Sequence, residues 1–203
     1  MREVPGSDSE LLRAIRSGDE EAFRTIYSRL QGQAFRFALH MTGSRTLAED
    51  AVQETFLALI HKSEGFDAVK GSLAAFVLGI VRNCVLRRLK QEAAFVSVAG
   101  SEAEAGDARE PAADSNPLTE LGRSETVKRV RDAVLSLPLH YREVVVLCEL
   151  EEKSYEEAAQ SLGCSPGTVR SRLHRARALL LTKLKAIENG PEMLKARSRR
   201  CLA

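Results

Sequence analysis

The sequence lacks long apolar runs and lacks the alternating segments that mark β-strands. No stretch approaches the roughly 20 apolar residues that a membrane-spanning helix needs. Residues 1–8 contain no apolar segment of the kind that a secretory signal requires. No run of alternating polar and apolar residues is long enough for a strand. We therefore expect no signal peptide, no membrane insertion of the chain itself and a location in the cytoplasm.

Neither the cysteines nor the potential catalytic residues form a recognisable metal-binding or catalytic motif. Cys84, Cys148, Cys164 and Cys201 are scattered, and no two form a Cys-x-x-Cys pair. This spacing argues against zinc and fits a reducing compartment, and we interpret the first three as small core residues. The sequence has no carboxylate cluster in a metal-site pattern, no glycine-rich phosphate loop and no nucleophile beside an evident base. We expect no enzymatic activity, no metal and no cofactor.

What the sequence does contain is apolar residues at helical spacing. The predicted helices run over 8–17, 19–42, 46–62, 72–93, 124–136, 139–151, 154–162 and 166–187. Residues 94–122 are rich in Ala, Ser, Gly, Glu and Pro and have no apolar periodicity, which is typical of a flexible linker. This linker is acidic, since residues 96–126 hold seven acidic residues against two basic ones. We predict an all-α protein with two small helical domains, 1–93 and 123–187, and a disordered basic tail, 188–203.

The stretch 154–177 has the pattern of a helix-turn-helix. Ser154 and Glu157 stand three apart, as in a capping box that satisfies two backbone N–H groups at a helix start. Gly163 can leave the first helix through a positive φ. Ser165 can then cap the second helix. This arrangement predicts a DNA-binding module.

The second helix of this module separates an apolar stripe from a basic face. At about 100° per residue, the stripe consists of Val169, Leu173, Ala176 and Leu180. The opposite face carries donors suited to base edges, at Arg170, Ser171, His174 and Arg175. Arg172 and Arg177 flank the stripe and could reach phosphates. A basic helix can simply be solvated, but the caps, the turn and the separated faces together favour DNA binding.

The helix predicted over 46–62 has a face suited to a protein partner. Thr46 and Glu49 form a second capping-box pattern at its start. Its inward stripe consists of Ala48, Val52, Phe56 and Leu59. The opposite face carries Asp50, Gln53, Glu54 and Leu57. An exposed leucine in an acidic patch suits docking on another protein, and a solvated face with one tolerated leucine is the alternative.

The helix predicted over 72–93 has an apolar side and a basic end. Its inward residues are Leu73, Phe76, Val77, Ile80 and Cys84. Another side carries Gly79, Arg82, Asn83, Leu86 and Lys90. The end of the helix is basic, with Arg82, Arg87, Arg88 and Lys90. A cationic helix end with an amide beside it can hold a phosphate backbone and bond an unstacked base. The helix dipole alone also favours basic residues at this end, so the pattern has a structural alternative.

Taken in order, three blocks of the sequence resemble bacterial sigma factors of the sigma-70 family, extracytoplasmic-function (ECF) group. Residues 48–56, Ala-Glu-Asp-Ala-Val-Gln-Glu-Thr-Phe, resemble the helix that binds core RNA polymerase. Residues 76–83, ending in Ile-Val-Arg-Asn, resemble the promoter-melting helix. The third block resembles the C-terminal DNA-binding domain, at 137–138, 141–144, 154–159 and 167–177. The resemblance covers about 20–93 and 124–185.

The resemblance implies partners and residue roles. The first domain would be sigma region 2 and the second sigma region 4. The residues that would face the β′ clamp helices of core RNA polymerase are Asp50, Gln53, Glu54 and Leu57. The residues that would contact the −10 element are Arg82, Asn83, Arg87 and Lys90, with Asn83 and the loop 62–71 taking a flipped base. The residues that would contact the −35 element are Arg170, Ser171, Arg172, His174, Arg175 and Arg177. Of these, Arg172 and Arg177 would contact phosphates.

The resemblance also implies partners beyond the promoter DNA. The C-terminal domain would contact the polymerase β flap. The acidic linker would thread toward the polymerase active site and the RNA exit. An anti-sigma factor would clamp both domains and cover these surfaces. The chain itself would perform no chemistry.

The sequence departs from the family pattern in a few places. Phe76 stands near the position of a usual Trp, and the chain has no Trp at all. Arg87 replaces a common Asp, Lys90 replaces a common Arg, and Ala158 replaces a common Ile. These changes bear on promoter preference more than on the general role.

A stand-alone helix-turn-helix regulator, acting without core polymerase, is the alternative function. It explains 154–177 equally well. It leaves the acidic face within 50–57 and the basic helix end within 82–90 unexplained. A stand-alone regulator would retain specific binding to isolated duplex DNA.

Overall fold

The computed structural model describes the backbone of residues 7–99 and 117–200 and the side chains of residues 7–94 and 125–185. Within these ranges the chain folds into eight α-helices, with a 3-10 turn at 63–65 and a π-helical turn at 146–150. The helices are α1 (Asp8–Arg16), α2 (Glu20–Thr42), α3 (Arg45–Lys62), α4 (Leu73–Ala99), α5 (Pro117–Leu135), α6 (Leu139–Val145), α7 (Tyr155–Leu162) and α8 (Pro166–Arg200). No strand occurs in the described ranges, and the all-α prediction is confirmed.

Helices α1 to α4 form an N-terminal unit, in which α2, α3 and α4 pack on one another. Ile26 and Phe37 of α2 and Val77 of α4 are among its fully buried side chains. The predicted inward stripe of α3 is buried at all four positions, Ala48, Val52, Phe56 and Leu59. Burying one such large apolar side chain stabilises the fold by about 1.5–3 kcal/mol. The stripes therefore decide which face of each helix is left at the surface.

Helices α5 to α8 form a C-terminal unit, in which α6 and α7 pack on α8. Val169, Leu173 and Ala176 of α8 are buried as predicted, and Leu180 is half-buried. The π-helical turn at 146–150 extends α6, and its buried residues include Leu147. The apolar stripe of α8 thus faces the unit's core and turns the basic face outward.

The predicted caps of the helix-turn-helix are confirmed. The Ser154 hydroxyl accepts from the Glu157 N–H at 3.1 Å, and the Glu157 carboxylate accepts from the Ser154 N–H at 2.9 Å. The second bond holds the pKa of Glu157 below its usual value. Gly163 ends α7 at a φ of 63°, where a side chain would be strained. Ser165 then caps α8, since its hydroxyl accepts from the backbone N–H three residues on at 3.2 Å.

The start of α3 differs from its prediction. Gly43 ends α2 at a φ of 70°, and the Ser44 hydroxyl caps α3 by accepting from the N–H three residues on at 3.4 Å. The predicted capping box of Thr46 and Glu49 is wrong, because Thr46 lies inside the helix and Glu49 pairs with Arg45. Ser44 takes the role because it directly follows the left-handed glycine and has the extended backbone that an N-cap needs.

Parts of the predicted linker and of the predicted disordered tail are helical. Helix α4 runs to Ala99 and α5 begins at Pro117, so both ends of the predicted linker 94–122 are helical. Residues 100–116 lie outside the described residues. Helix α8 continues to Arg200, through most of the tail that we expected to be disordered. The last part of this tail contains Leu, Lys, Ala and Arg, which favour helix by propensity alone.

The two units pack against each other. Helix α7 lies on α4, while α5 and the π-helical turn contact α2. The buried apolar residues of both units form one continuous cluster. Arg142 of α6 crosses the boundary and donates to the carbonyl oxygen of Met41 at 2.6 Å. Burial lowers the pKa of this guanidinium. The two predicted helical domains therefore share an extensive interface.

We predict that Ser154→Ala lowers the free energy of unfolding by about 1 kcal/mol, because one N–H at the start of α7 loses its acceptor. Ser28→Ala is the matched control. Ser28 lies inside α2, where its hydroxyl donates to the Thr25 carbonyl at 3.1 Å and alanine is a good helix former. Urea unfolding of the full chain, followed by circular dichroism, measures both variants. Unchanged stability of Ser154→Ala would contradict the capping role.

Candidate functional site

The outward face of α8 carries four of the predicted DNA-reading side chains. The structure leaves all four exposed, at Arg170, Ser171, His174 and Arg175. The Arg170 guanidinium carbon lies 5.7 Å from the centroid of the Tyr155 ring, which is a cation–π contact. The Ser171 hydroxyl donates to the Thr168 carbonyl at 3.0 Å. The four side chains therefore form one exposed surface beside the first helix of the helix-turn-helix.

The two flanking arginines have different surroundings. Arg172 is half-buried, whereas Arg177 is exposed and donates from Nε to the Glu149 carboxylate at 2.9 Å. This hydrogen bond raises the pKa of Arg177. Sequence reasoning missed Glu149, because nothing in the local pattern pairs residues 28 positions apart. Solvent screens such an exposed pair, so a phosphate could replace the carboxylate.

A second candidate surface is the α3 face, which comprises Asp50, Gln53, Glu54 and Leu57. Gln53 and Leu57 are exposed, the latter at 56%. Asp50 and Glu54 are half-exposed and engage arginines of α4. Asp50 accepts from Arg88 Nη1 at 2.9 Å, and Glu54 accepts from Arg87, which raises the pKa of Arg87. The structure thus joins two predicted polymerase-binding carboxylates to the helix predicted to contact the −10 element.

An aromatic groove borders the α3 face and was missed by sequence reasoning. It has a volume of about 610 Å³ and runs between α2 and α3, past Gln53 and Leu57. Phe23, Tyr27 and Phe56 line it, with the Tyr27 and Phe56 rings 4.7 Å apart. Tyr27 is 38% exposed. Phe23 and Tyr27 stand four residues apart, about one helical turn, and this spacing in the sequence could have predicted an aromatic surface on α2.

Helix α4 brings together three of its four predicted DNA-contacting residues. Asn83, Arg87 and Lys90 line a shallow groove of about 480 Å³ along this helix. Arg82 lies beside them, with Nη1 3.5 Å from Asn83 Oδ1, but it turns toward the other unit. Its Nε donates to Glu143 Oε1 of α6 at 2.6 Å, and Glu143 is only 2% exposed.

A cleft lies between α4 and α7, next to Asn83. Its volume is about 610 Å³, with Phe76 and Asn83 on one wall and Gln160 and Gly163 on the other. The Phe76 ring packs 5.6 Å from Phe66, which belongs to the loop 62–71. Sequence reasoning identified Asn83 and this loop but missed α7 as the opposite wall. Only tertiary packing places these segments side by side.

The described part of the chain also bears on the expectations of no metal site and no membrane span. No group of three or more His, Cys, Asp or Glu side chains there could hold a metal ion. None of the helices in the described ranges combines the length and apolar character needed to cross a bilayer.

Cys84 is buried, and Cys148 and Cys164 are half-buried. Burial raises the pKa of the Cys148 thiol to about 11, so it is protonated at neutral pH. Cys201 lies outside the described residues.

Two family models match the chain, one on each unit. The model for Sigma-70 region 2 matches residues 26–95, and the model for Sigma-70 region 4 matches residues 128–180. The first range contains the α3 face and the basic side of α4. The second contains the helix-turn-helix.

Similar proteins and structures cover most of the chain. The ECF RNA polymerase sigma factor SigM of Mycobacterium tuberculosis is 30% identical over 91% of this chain and 88% of its own length. The ECF RNA polymerase sigma-E factor of Haemophilus influenzae is 29% identical over 89% of this chain and 97% of its own length.

Two solved sigma factors also have a similar fold over most of the chain. RpoE in complex with the anti-sigma factor NepR, from Bartonella quintana, has a TM-score of 0.64 at 27% identity, covering 80% of this chain and 96% of that chain. CnrH in complex with the cytosolic domain of CnrY has a TM-score of 0.63 at 29% identity, covering 89% of this chain and 99% of that chain. The chain therefore belongs to the ECF RNA polymerase sigma factors of the sigma-70 family.

Proposed function

We propose that this chain binds core RNA polymerase and directs transcription initiation at promoters with defined −35 and −10 elements. The observation that carries the proposal is the combination of three surfaces on one chain. An exposed basic helix lies on the C-terminal unit, and a basic helix side and an acidic docking face lie on the N-terminal unit. The same two units match sigma regions 4 and 2.

The −35 element is read by the outward face of α8. Arg175 and Arg170 can donate two hydrogen bonds to the acceptors of a guanine in the major groove, and Ser171 and His174 can bond other base edges. Arg172 and Arg177 contact phosphates, Arg177 after exchanging Glu149 for DNA. Phosphate contacts of this kind make the affinity fall steeply as salt rises.

The −10 element is captured on the N-terminal unit. Asn83 and the loop 62–71 hold a base flipped out of the duplex, beside the paired rings of Phe66 and Phe76. Arg82, Arg87 and Lys90 contact the backbone around it. Binding an extruded base offsets the few kcal/mol that unstacking costs. The chain melts the promoter by trapping the open form.

Core polymerase docks on the α3 face through its β′ clamp helices, and the C-terminal unit contacts the β flap. The exposed Leu57 and Gln53 form the centre of this docking face, and the aromatic groove beside them adds apolar area. Asp50 and Glu54 contribute acceptors for cationic groups of the partner. Central apolar residues surrounded by polar ones are the usual composition of an interface hot spot.

The chain is an initiation factor and not an enzyme, as the sigma factor family implies. The polymerase supplies the nucleotidyl transfer, and this chain supplies promoter recognition. We infer a cytoplasmic location, where its polymerase acts. An anti-sigma factor is a further partner, by analogy with the solved RpoE–NepR and CnrH–CnrY complexes. Nothing in the comparisons supports the stand-alone regulator.

Transcription with purified core polymerase tests the proposed function. With genomic DNA as template, we expect defined 5′ ends preceded by two common sequence elements at a constant spacing. Core polymerase alone should give no such starts. Specific binding to duplex DNA without polymerase, combined with no dependence of transcription on this chain, would instead support the stand-alone regulator.

We predict that Leu57→Ala weakens binding to core polymerase about tenfold, because it removes the most exposed apolar side chain of the α3 face. Leu57 is a sharper test than Glu54, because Glu54 also holds Arg87 of the DNA-contacting helix. Val69→Ala is the matched control, since Val69 is an apolar residue that is 95% exposed but lies outside the α3 face and the C-terminal unit. Fluorescence titration of the labelled chain with core polymerase measures both. Equal affinities would refute the docking face.

We predict that Arg175→Ala reduces discrimination at one position of the −35 element by about 1–3 kcal/mol, if both of its hydrogen bonds go to a base. Arg24→Ala, an exposed arginine on α2, serves as the control and should leave every promoter variant unchanged. Affinities of the holoenzyme for a set of single-base promoter variants give the answer. A uniform loss across all variants would assign Arg175 to a phosphate.

A further inference from the structure

Arg170 lies at the edge of the exposed face of α8. At about 100° per residue, Arg170 is within about 60° of Leu173 and Arg177 around the helix axis, whereas Arg175 is about 140° away from it. Leu173 is buried, and Arg177 pairs with Glu149 of the π-helical turn. The side of α8 that carries Arg170 therefore borders other parts of the C-terminal unit.

Tyr155, the first residue of α7, lies against this side of α8. Its ring is half-buried and packs on the apolar core. It lines a shallow groove of about 340 Å³ together with Glu149, Leu173 and Arg177. The capping box that begins at Ser154 fixes the backbone at the start of the helix. A half-buried ring on a fixed backbone offers a rigid surface to its neighbour.

The neighbour that meets the face of this ring is Arg170. Its guanidinium carbon lies 5.7 Å from the centroid of the Tyr155 ring. Among the ion pairs of the described residues, Glu149 holds Arg177, and no carboxylate holds Arg170. A carboxylate neutralises a guanidinium and accepts its donors, whereas an aromatic face attracts the charge and leaves most of the N–H groups free. Arg170 is therefore held in place with donors available for a base.

Holding an arginine in advance affects how well it discriminates between bases. A long side chain that becomes ordered only on binding loses rotamer entropy at that moment, and an earlier contact reduces this cost. A guanidinium that is free to swing can also bond phosphate oxygens, which carry no sequence information. A bidentate contact with one base requires a fixed direction. The ring next to Arg170 supplies such a direction.

We propose that Tyr155 is a positioning residue of the −35 surface, whose ring directs the Arg170 guanidinium toward one base. This inference rests on the proposed function, which assigns Arg170 to the −35 element. Tyr155 acts through Arg170. The face of its ring provides the hold, and its hydroxyl is not required.

Variants of the full chain separate the ring from the hydroxyl and from packing. Tyr155→Phe keeps the ring, whereas Tyr155→Leu keeps apolar bulk and removes the aromatic face. Tyr141→Leu is the matched control, because Tyr141 is another half-buried tyrosine that packs on the core from the C-terminal unit. Its ring contacts His140 of α6. Circular dichroism verifies that each variant retains its helix content.

Nuclear magnetic resonance of the free chain provides a readout that needs neither promoter nor polymerase. Protons above the face of an aromatic ring are shielded, so the side-chain protons of Arg170 should resonate upfield of those of Arg175. We expect Tyr155→Phe and Tyr141→Leu to keep this shift and Tyr155→Leu to lose it. The absence of the shift in the wild type, or its persistence in Tyr155→Leu, would overturn the contact.

Promoter discrimination provides the second readout. Affinities of the holoenzyme are measured for single-base variants of the −35 element of a promoter mapped by the transcription experiment, and Arg170→Ala identifies the position that Arg170 reads. We expect Tyr155→Leu to reduce discrimination at that position about fourfold, which is the scale of an exposed cation–π contact. Tyr155→Phe and Tyr141→Leu should stay within about twofold of the wild type, because both keep the ring beside Arg170.

A double variant completes the test. In a chain that already carries Arg170→Ala, Tyr155→Leu should reduce discrimination no further, because the group that it positions is gone. Additive losses would assign Tyr155 to packing alone, and an equal loss in Tyr155→Phe would assign the effect to its hydroxyl. Either result overturns the positioning role, as does an effect of Arg170→Ala without one of Tyr155→Leu. The proposed function fails separately, if the wild-type chain directs no defined starts.

Discussion

The burial of apolar stripes decides which charged side chains reach the surface in the described part of this molecule. Val169, Leu173 and Ala176 face the core of the C-terminal unit, and this alone turns Arg170 and Arg175 outward on α8. Each large buried side chain stabilises its placement by about 1.5–3 kcal/mol. Exposed ion pairs are much weaker because water screens them. The apolar stripes therefore set the helix orientations, and the surface charges pair with whatever neighbours this orientation provides.

The charges that follow from this orientation are shared between surfaces. Glu54 and Asp50 of the docking face hold Arg87 and Arg88 of α4, Glu149 holds Arg177, and Glu143 holds Arg82 across the unit boundary. Three of these carboxylates pair with an arginine that we propose to contact nucleic acid, and Asp50 pairs with Arg88, which is next to such an arginine. A chain that must bind phosphate only in the right assembly benefits from such exchangeable partners, because they lower its affinity for unrelated polyanions.

Local signals in the sequence were sufficient wherever one helix or one turn decided the outcome. The capping box of Ser154 and Glu157, the left-handed Gly163 and the buried stripe of α3 all follow from spacing within a few residues. The start of α3 was mispredicted for an equally local reason. Thr46 and Glu49 have the right spacing, but Gly43 already ends the preceding helix, so Ser44 reaches the N-cap conformation first. Two competing cap patterns cannot be ranked without the backbone angles.

By itself, the sequence determined the helical fold, the outward face of α8, the exposed Leu57 and the resemblance that the family models bear out. These follow from periodicity and from motifs that are contiguous along the chain. Only the tertiary structure decided that α7 covers the side of Asn83, that Arg82 pairs with Glu143 and that Arg36 pairs with Glu151. These partners stand 61 and 115 residues apart, and no local pattern relates residues at such distances. Their meeting depends on how two apolar surfaces from different units fit together, which is a property of packing.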